Sequence, residues 1–451
     1  MAQRRKGDIS YPNLNISLIR FVNNIRYYNV DGNLKKDSKP QRDNNKPIKI
    51  LNMLNHILIL YLFFLPFVVE DNPRKLLDGS SYIIFKTNRT GNISIFSNEY
   101  LGEYPNIQIL GENVWISVTN EVIRGYYLIN SVNNINTFKL SWNKEINSTT
   151  NMFKDCTDII EINIANFNSS RVTRMNQMFF HCSSLSSLDL TNFNTSLVTN
   201  MEGMFKECSS LTSLILTNFN TSLVYDMSDM FSGCLTLSFL DLSSFNTSSV
   251  LHMSDMFYKC KSLSTLDLSS FNTSKVTGII SMFAYCTSLT TLDLSHFKTS
   301  FITSLMYTFQ ECTSLNSLKL FNFDTPRLRN MYCSFDNCKN LKTLDLSNFD
   351  TSKVTNMYYT FRTCSSLISL NLSNFITPQL EIMEGMFYEC SSLKLIDLSN
   401  LNTSLVTSMR YVFSKCSSLR TLNLFNFDTS LVTNMENMFL SMLFIKFIIY
   451  I

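Results

Sequence analysis

Cysteine is the residue here with most chemistry to offer, and eleven of the chain's twelve cysteines keep one beat. Cys156, Cys182, Cys208, Cys234, Cys260, Cys286, Cys312, Cys338, Cys364, Cys390 and Cys416 follow one another at intervals of 26, with Cys333 off the series. Thiols filed along a stack of coils about 5 Å apart would fall within the Cα separation a disulfide accepts. A straight file does not converge four ligands on a tetrahedron, which argues against zinc. The reading preferred is a structural ladder of small buried hydrophobes, with Cys333 the thiol expected to be accessible.

Two further columns keep the same period. One is mostly hydroxyl, with Ser187, Ser213, Thr265, Thr291, Ser317, Thr343, Ser369 and Thr421, and is interrupted by the apolar Phe239 and Leu395. The next holds Asp189, Asp241, Asp267, Asp293, Asp345 and Asp397. Stacked carboxylates offer oxygen ligands of the kind Ca²⁺ takes. No Gly-rich ligand loop accompanies them, so solvated carboxylates are the simpler reading and no metal or cofactor is expected.

Enzymatic constellations are not found. Of the four histidines, His181, His252 and His296 occupy different slots of their repeats, and none has an Ser or Asp partner that the repeat does not supply everywhere. There is no P-loop, no G-x-G-x-x-G after a strand and no H-E-x-x-H. The chain is expected to be non-catalytic.

These columns require a repeating element to position them. One unit runs from Leu263 to Ser288 as LSTLDLSSFNTSKVTGIISMFAYCTS. Leu263, Leu266 and Leu268 form L-x-x-L-x-L, the signature of one short strand per turn. In a neighbouring unit Val198, Met201, Met204, Phe205 and Cys208 are spaced three, three, one and three, which predicts one buried stripe of a helical segment. Between the halves stands a turn such as Phe245-Asn246-Thr247-Ser248, in which Phe plugs the corner and the polar side chains bond local backbone. Ser or Thr there would also cap the coming helix. One such unit buries too few side chains to fold alone, so neighbours must share a core. The prediction is an α/β solenoid of leucine-rich-repeat type over residues 137–439, about eleven turns, with a strand face roughly 50 Å long.

The recurring L-x-x-L-x-L-S-x-F-x-T-S-x-V-T-x-M-x-x-M-F-x-x-C-S-S resembles the BspA-like leucine-rich-repeat surface proteins from about Thr137 to Phe439, with Ser141–Cys156 as a lead-in. That resemblance implies an extracellular adhesion or host-interaction protein and brings no catalytic residues with it. Departures are local. Ile279 and Leu305 replace the first Met, while Thr308, Ser334 and Thr360 replace the second, which should loosen a few turns without breaking register.

Residues 1–49 carry eleven Lys or Arg against four Asp or Glu and read as a disordered basic tail. Residues 50–69 have no formal charge and end in ILILYLFFLPFVV, long enough to span a bilayer. This is a signal anchor with its basic tail in the cytoplasm, or a cleaved signal peptide if translation starts at Met53. The anchor displays the repeats at the cell surface and the cleaved peptide leaves them secreted, while a buried core segment is the third reading, since Asn52, Asn55, His56 and Pro66 dilute the run. Residues 70–136 contain strand-like runs, SYIIFK, NISIFS and VWISV, and read as a β-rich cap region. The tail 440–451 is hydrophobic, with Met442 where Cys is due, and offers no polar cap; truncation of the reading frame is the expectation. Asn-x-Ser/Thr sites recur along the chain, yet the repeat's Asn becomes Asp at Asp324, Asp350 and Asp428, which favours a turn-forming role.

A formal net charge of +3, with 16% charged residues, excludes the basic balance of a nucleic-acid binder. What remains is recognition of an extracellular protein or glycan by the strand face, centred on the hydroxyl and Asp columns with Phe239 and Leu395 as apolar anchors. The alternative is a surface coat whose turns pack laterally.

Overall fold

The computed structural model describes residues 81–88, 91–100, 102–103, 105–110, 114–116, 126–129, 136–442 and 446–448. The basic tail, the apolar stretch at 50–69 and most of the last residues of the chain lie outside the described residues.

The described chain begins as antiparallel sheet. β1 (Ser81–Thr87) pairs with β6 (Asn136–Trp142), β6 with β3 (Asn106–Leu110) and β3 with β4 (Val114–Ile116), while β2 (Gly91–Ser94) pairs separately with β5 (Tyr126–Ile129). The free edge of β1 then takes β7 (Ile159–Asn163), the first strand of the repeats, in antiparallel register, Phe85 opposite Ile162. That pairing covers the edge the first coil would leave bare. Behind it Phe85 stacks on Phe138 at 4.9 Å and meets Phe153 edge-on, so the sheet's core runs into that of the coils without a break.

From Ile159 onward every coil has 26 residues. Parallel strands join neighbours in register, with β8 (Ser187–Asp189) on β7, β10 (Ser317–Lys319) on β9 (Thr291–Asp293), and β12 (Ser369–Asn371) on β11 (Thr343–Asp345). β13 (Thr421–Asn423) pairs with β14 (Lys446–Ile448). From β8 to β13 the middle leucine of each strand points inward and its neighbours outward, the alternation that L-x-x-L-x-L predicts.

The opposite side of the coil is not helical, and the helical segment predicted there is corrected. Among the described residues no α-helix occurs. Linked β-turns take its place: Met178 N–H bonds to Met175 C=O, and Cys182 N–H to Phe179 C=O. The third residue of each turn, Gln177 and His181, has φ near +55°, as a type II turn requires. The alternate N–H groups leave the coil altogether. Those of Met175, Gln177, Phe179 and His181 reach Asn200, Glu202, Met204 and Lys206 in the next coil at 2.7 to 3.0 Å. A helix would keep those donors within its own segment. A turn chain also places its first and fourth residues inward, so Val198, Met201, Met204, Phe205 and Cys208 are all fully buried, as their spacing predicts.

Side chains repeat this tie between coils. Thr247 Oγ1 donates to Asn272 C=O at 3.0 Å and accepts Asn272 N–H at 2.7 Å, and Thr221 does the same with Asn246. These threonines are buried and bond the following coil, where the sequence predicted local bonds and a helix cap. The Asn is the local turn former: Asn246 Oδ1 accepts Ser248 N–H two residues on, and Asp350 does so for Ser352.

The cysteine file is structural, and its thiols also donate. Cys182 through Cys416 direct Sγ at the carbonyl of the Phe in the preceding coil, 3.0 to 3.2 Å away. All twelve thiols are free and buried. Cys333 is among them, only 4% exposed, so the accessible thiol predicted there is corrected: at the third position of a turn, φ +51°, this small side chain is covered by larger neighbours, among them Tyr332, Asp336 and Arg362. Where Thr308, Ser334 and Thr360 replace Met, their hydroxyls find carbonyls of the preceding coil at 2.9 to 3.2 Å, and the buried polar atom is satisfied. Beside the thiols runs a file of phenylalanines from Phe153 to Phe439. Successive rings lie 5.3 to 6.0 Å apart and within 12° of parallel.

Two measurements check this architecture. Thr247→Val keeps the shape but strands the backbone N–H and C=O of Asn272, and should lower stability by about 1–3 kcal/mol; an unchanged urea midpoint would show the threonine tie to be idle. Burial holds the Cys234 and Cys286 thiols up to about 12 against an ordinary 9.0. Above pH 9.0 the unfolded chain therefore sheds protons that the folded chain keeps, so stability present below that pH is lost as it rises toward 12. Native protein at pH 9.0 should resist alkylation by iodoacetamide at every cysteine, Cys333 included, and labelling of the folded chain would contradict the burial.

Candidate interaction faces

The strand face carries the residues the sequence singles out. Thr265, Thr291 and Thr343 are exposed and Ser187 half-buried, while Phe239 and Leu395 are 49% and 66% exposed in the same column. Exposed Ile215 lies one coil before Phe239, and exposed Ile368 one coil before Leu395, so each predicted anchor has an apolar companion in the adjoining coil that the column pattern did not reveal.

The aspartates of this face are already engaged. Asp189, Asp241, Asp267, Asp293, Asp345 and Asp397 each accept, through Oδ1, the backbone N–H two residues on, at 2.9 to 3.1 Å. Each closes the turn that ends its strand, the Asx geometry that makes Asp and Asn interchangeable there. The backbone N–H of Ser269 lowers Asp267 below its ordinary value, that of Ser399 lowers Asp397, and for Asp293 the Ser295 hydroxyl does so, joined by Lys319 Nζ at 2.9 Å. Ile215 and Lys319 interrupt the column. Among the described residues no three His, Cys, Asp or Glu side chains converge as a metal site.

The turn face is where the coils differ from one another, and the column pattern does not reveal it. Eight tyrosines stand on it, Tyr258, Tyr285, Tyr307, Tyr332, Tyr358, Tyr359, Tyr388 and Tyr411, all half-buried. The last six form an unbroken row, with ring centroids 4.2 to 6.4 Å apart from each to the next. Cations lie over it: Arg362 on Tyr359 at 4.8 Å, Arg410 on Tyr411 at 4.6 Å and Lys415 on Tyr388 at 5.0 Å. Arg362 is held from beneath by the fully buried Asp336, which accepts from its Nε at 2.7 Å and Nη2 at 3.0 Å, and from Gln310 at 3.0 Å. Paired and bidentate, that carboxylate fixes the guanidinium instead of leaving it to sample solvent. Tyrosine and arginine held in this way are what the centres of protein interfaces favour.

The row was hidden because its members sit at different offsets in the 26-residue unit. Tyr332 and Tyr358 share one offset, Tyr359 and Tyr411 another, and Tyr388 a third. Only the turn geometry brings these offsets to one surface. Counting how much each column varies would have pointed there, since strand-face columns are nearly uniform and these are not.

The sequence model of one protein family, described as "Mycoplasma protein of unknown function, DUF285", matches residues 124–238, 212–317, 290–394 and 360–444, well over half of the chain. No curated protein matches. Among solved structures, one match is a TLR13–ssRNA13 complex, 18% identical, covering 57% of this chain and 46% of that one, with a TM-score of 0.22. Another is a T. pallidum leucine-rich-repeat protein, 18% identical, covering 49% of this chain and 72% of that one, with a TM-score of 0.20. The chain thus spans less than half the length of the first, and neither is close enough to transfer a ligand.

Gly385 tests how the row is seated. It has φ +57°, and a Cβ there would lie 1.9 Å from Tyr359 Cε1. Gly385→Ala must displace that ring and strain the turn, with an expected loss of about 1–3 kcal/mol and a weakened near-ultraviolet circular dichroism signal. A variant as stable as the parent with an unchanged spectrum would mean that Tyr359 is not held there.

Proposed function

The chain belongs to the DUF285 family, and from that premise we propose that it is a non-catalytic recognition protein of the BspA-like kind that binds a protein partner through the turn face. The observation that carries the proposal is the fixed tyrosine row from Tyr307 to Tyr411 with its arginines. Such side chains bring large contact area at small loss of rotamer freedom, and Arg362 already has its desolvation offset by Asp336. The strand face contributes at most the apolar pairs around Phe239 and Leu395, since its carboxylates serve the turns. Non-catalytic action accords with histidines that lie in separate coils, His181 on Asp155 and His296 on the carbonyl of Leu268.

Display outside the cytoplasm rests on the apolar stretch at 50–69, which lies outside the described residues. Twelve free thiols would ordinarily argue for a reducing compartment. Here burial keeps them protonated, up to about 12 for Cys234 and Cys286, and a thiol without thiolate character does not exchange. A disulfide-free chain of this construction therefore suits an oxidising exterior.

The test is adhesion of protein-coated beads to immobilised laminin and collagen. Tyr332→Ser, Tyr358→Ser and Tyr388→Ser together should abolish capture while leaving the unfolding midpoint near the parent's. If Phe239→Ser with Leu395→Ser abolishes it and the tyrosine variant does not, the turn face is the wrong surface. Self-association rising with concentration, with no capture by either matrix, would support the coat instead.

A further inference from the structure

At the other end of the turn face the row of large side chains is broken. The two positions that carry Lys206 and Glu207 in one coil, and Tyr258 and Lys259 two coils on, carry Ser232 and Gly233 in between, both buried beneath their larger neighbours. The result is an open notch of about 500 Å³ with small residues for a floor, within the range of small-ligand sites. Gly233 has φ +75°, and a Cβ there would press on Glu207 at 3.0 Å, so the turn itself keeps the floor low.

The walls supply acceptors and donors in near balance. Asp229 is paired with Lys206 Nζ at 2.9 Å, and Lys259 lies 4.9 Å from the ring centre of Tyr258. Asp255, beside Asp229, is raised above its ordinary value by burial and by that neighbour, with the Ser281 hydroxyl as a partner. An anionic ligand would meet three carboxylates, counting Glu207, and a cationic one two ammonium groups. A neutral group whose hydroxyls both donate and accept satisfies both sets, and Tyr258 adds an aromatic ring to the lining. The geometry points to a subsite for one sugar ring of a neutral glycan in the notch over Ser232 and Gly233. This site is separate from the tyrosine row and does not depend on the protein-binding proposal.

The experiment is saturation-transfer NMR of the full chain with glucose, galactose, mannose and N-acetylglucosamine, and with arginine amide as a charged probe. Ser232→Gln fills the notch with the side chain that Gln310 places at the same offset, and its thermal unfolding should match the parent's. Asp255→Asn keeps the shape and removes the acceptor charge, so it serves should the first variant fail to fold. The expected result is transfer to at least one sugar, with affinity falling about tenfold or more in either variant. Absence of transfer to all four sugars overturns the assignment. So does transfer that Ser232→Gln and Asp255→Asn leave intact, or a response confined to arginine amide.

Discussion

The structure depends on where alternate N–H groups on the turn side go. Met175, Gln177, Phe179 and His181 donate forward to the next coil, and their counterparts do the same from coil to coil. This one arrangement excludes a helix, fixes the separation at which phenylalanine rings stack, and sets each threonine and each cysteine within reach of a backbone partner in the adjoining coil. The parallel strands are only three residues long beyond β7. The turn side therefore does more than the sheet to hold the coils at constant spacing.

Much of the architecture was legible in the residues. The 26-residue period, the inward leucines, the phenylalanine file and the thiol ladder all follow from columns that any stack in register must bury. The secondary structure of the turn side was not, and the reason is geometric. Residues three apart share a face in a helix, and they also share one in a chain of β-turns, so Val198, Met201, Met204 and Cys208 fit both. What separates the two is the third turn position, which must adopt positive φ. Gln177, His181, Asp229 and Asn337 occupy it, with glycine only at some coils, and that mixture leaves a weak signal. Cys333 was misplaced for another reason: it shares its offset with Tyr307, Tyr359 and Tyr411 on the turn face, and it is buried there among Tyr332, Asp336 and Arg362, neighbours that its place in the column does not reveal.

The candidate surfaces divide along the same line. Strand-face aspartates recur because each closes a turn, and recurrence by itself was a structural signal. The tyrosine row and the notch at Ser232 and Gly233 fill no single column. They could be seen only once the turn geometry had assigned scattered offsets to a common surface. In this repeat uniform positions hold the coil together, and departures from uniformity are free to carry chemistry.

The identical joints have a consequence for how such a chain can change. Because most internal coils offer the same donors forward and the same acceptors backward, a block of 26 residues could be duplicated or deleted by recombination and leave a joint much like those around it. Length is then a nearly neutral character, while the sheet that meets β7 stays untouched. Lineages could lengthen or shorten the stack and shuffle turn-face variants between neighbours, generating new surfaces without having to invent a new core.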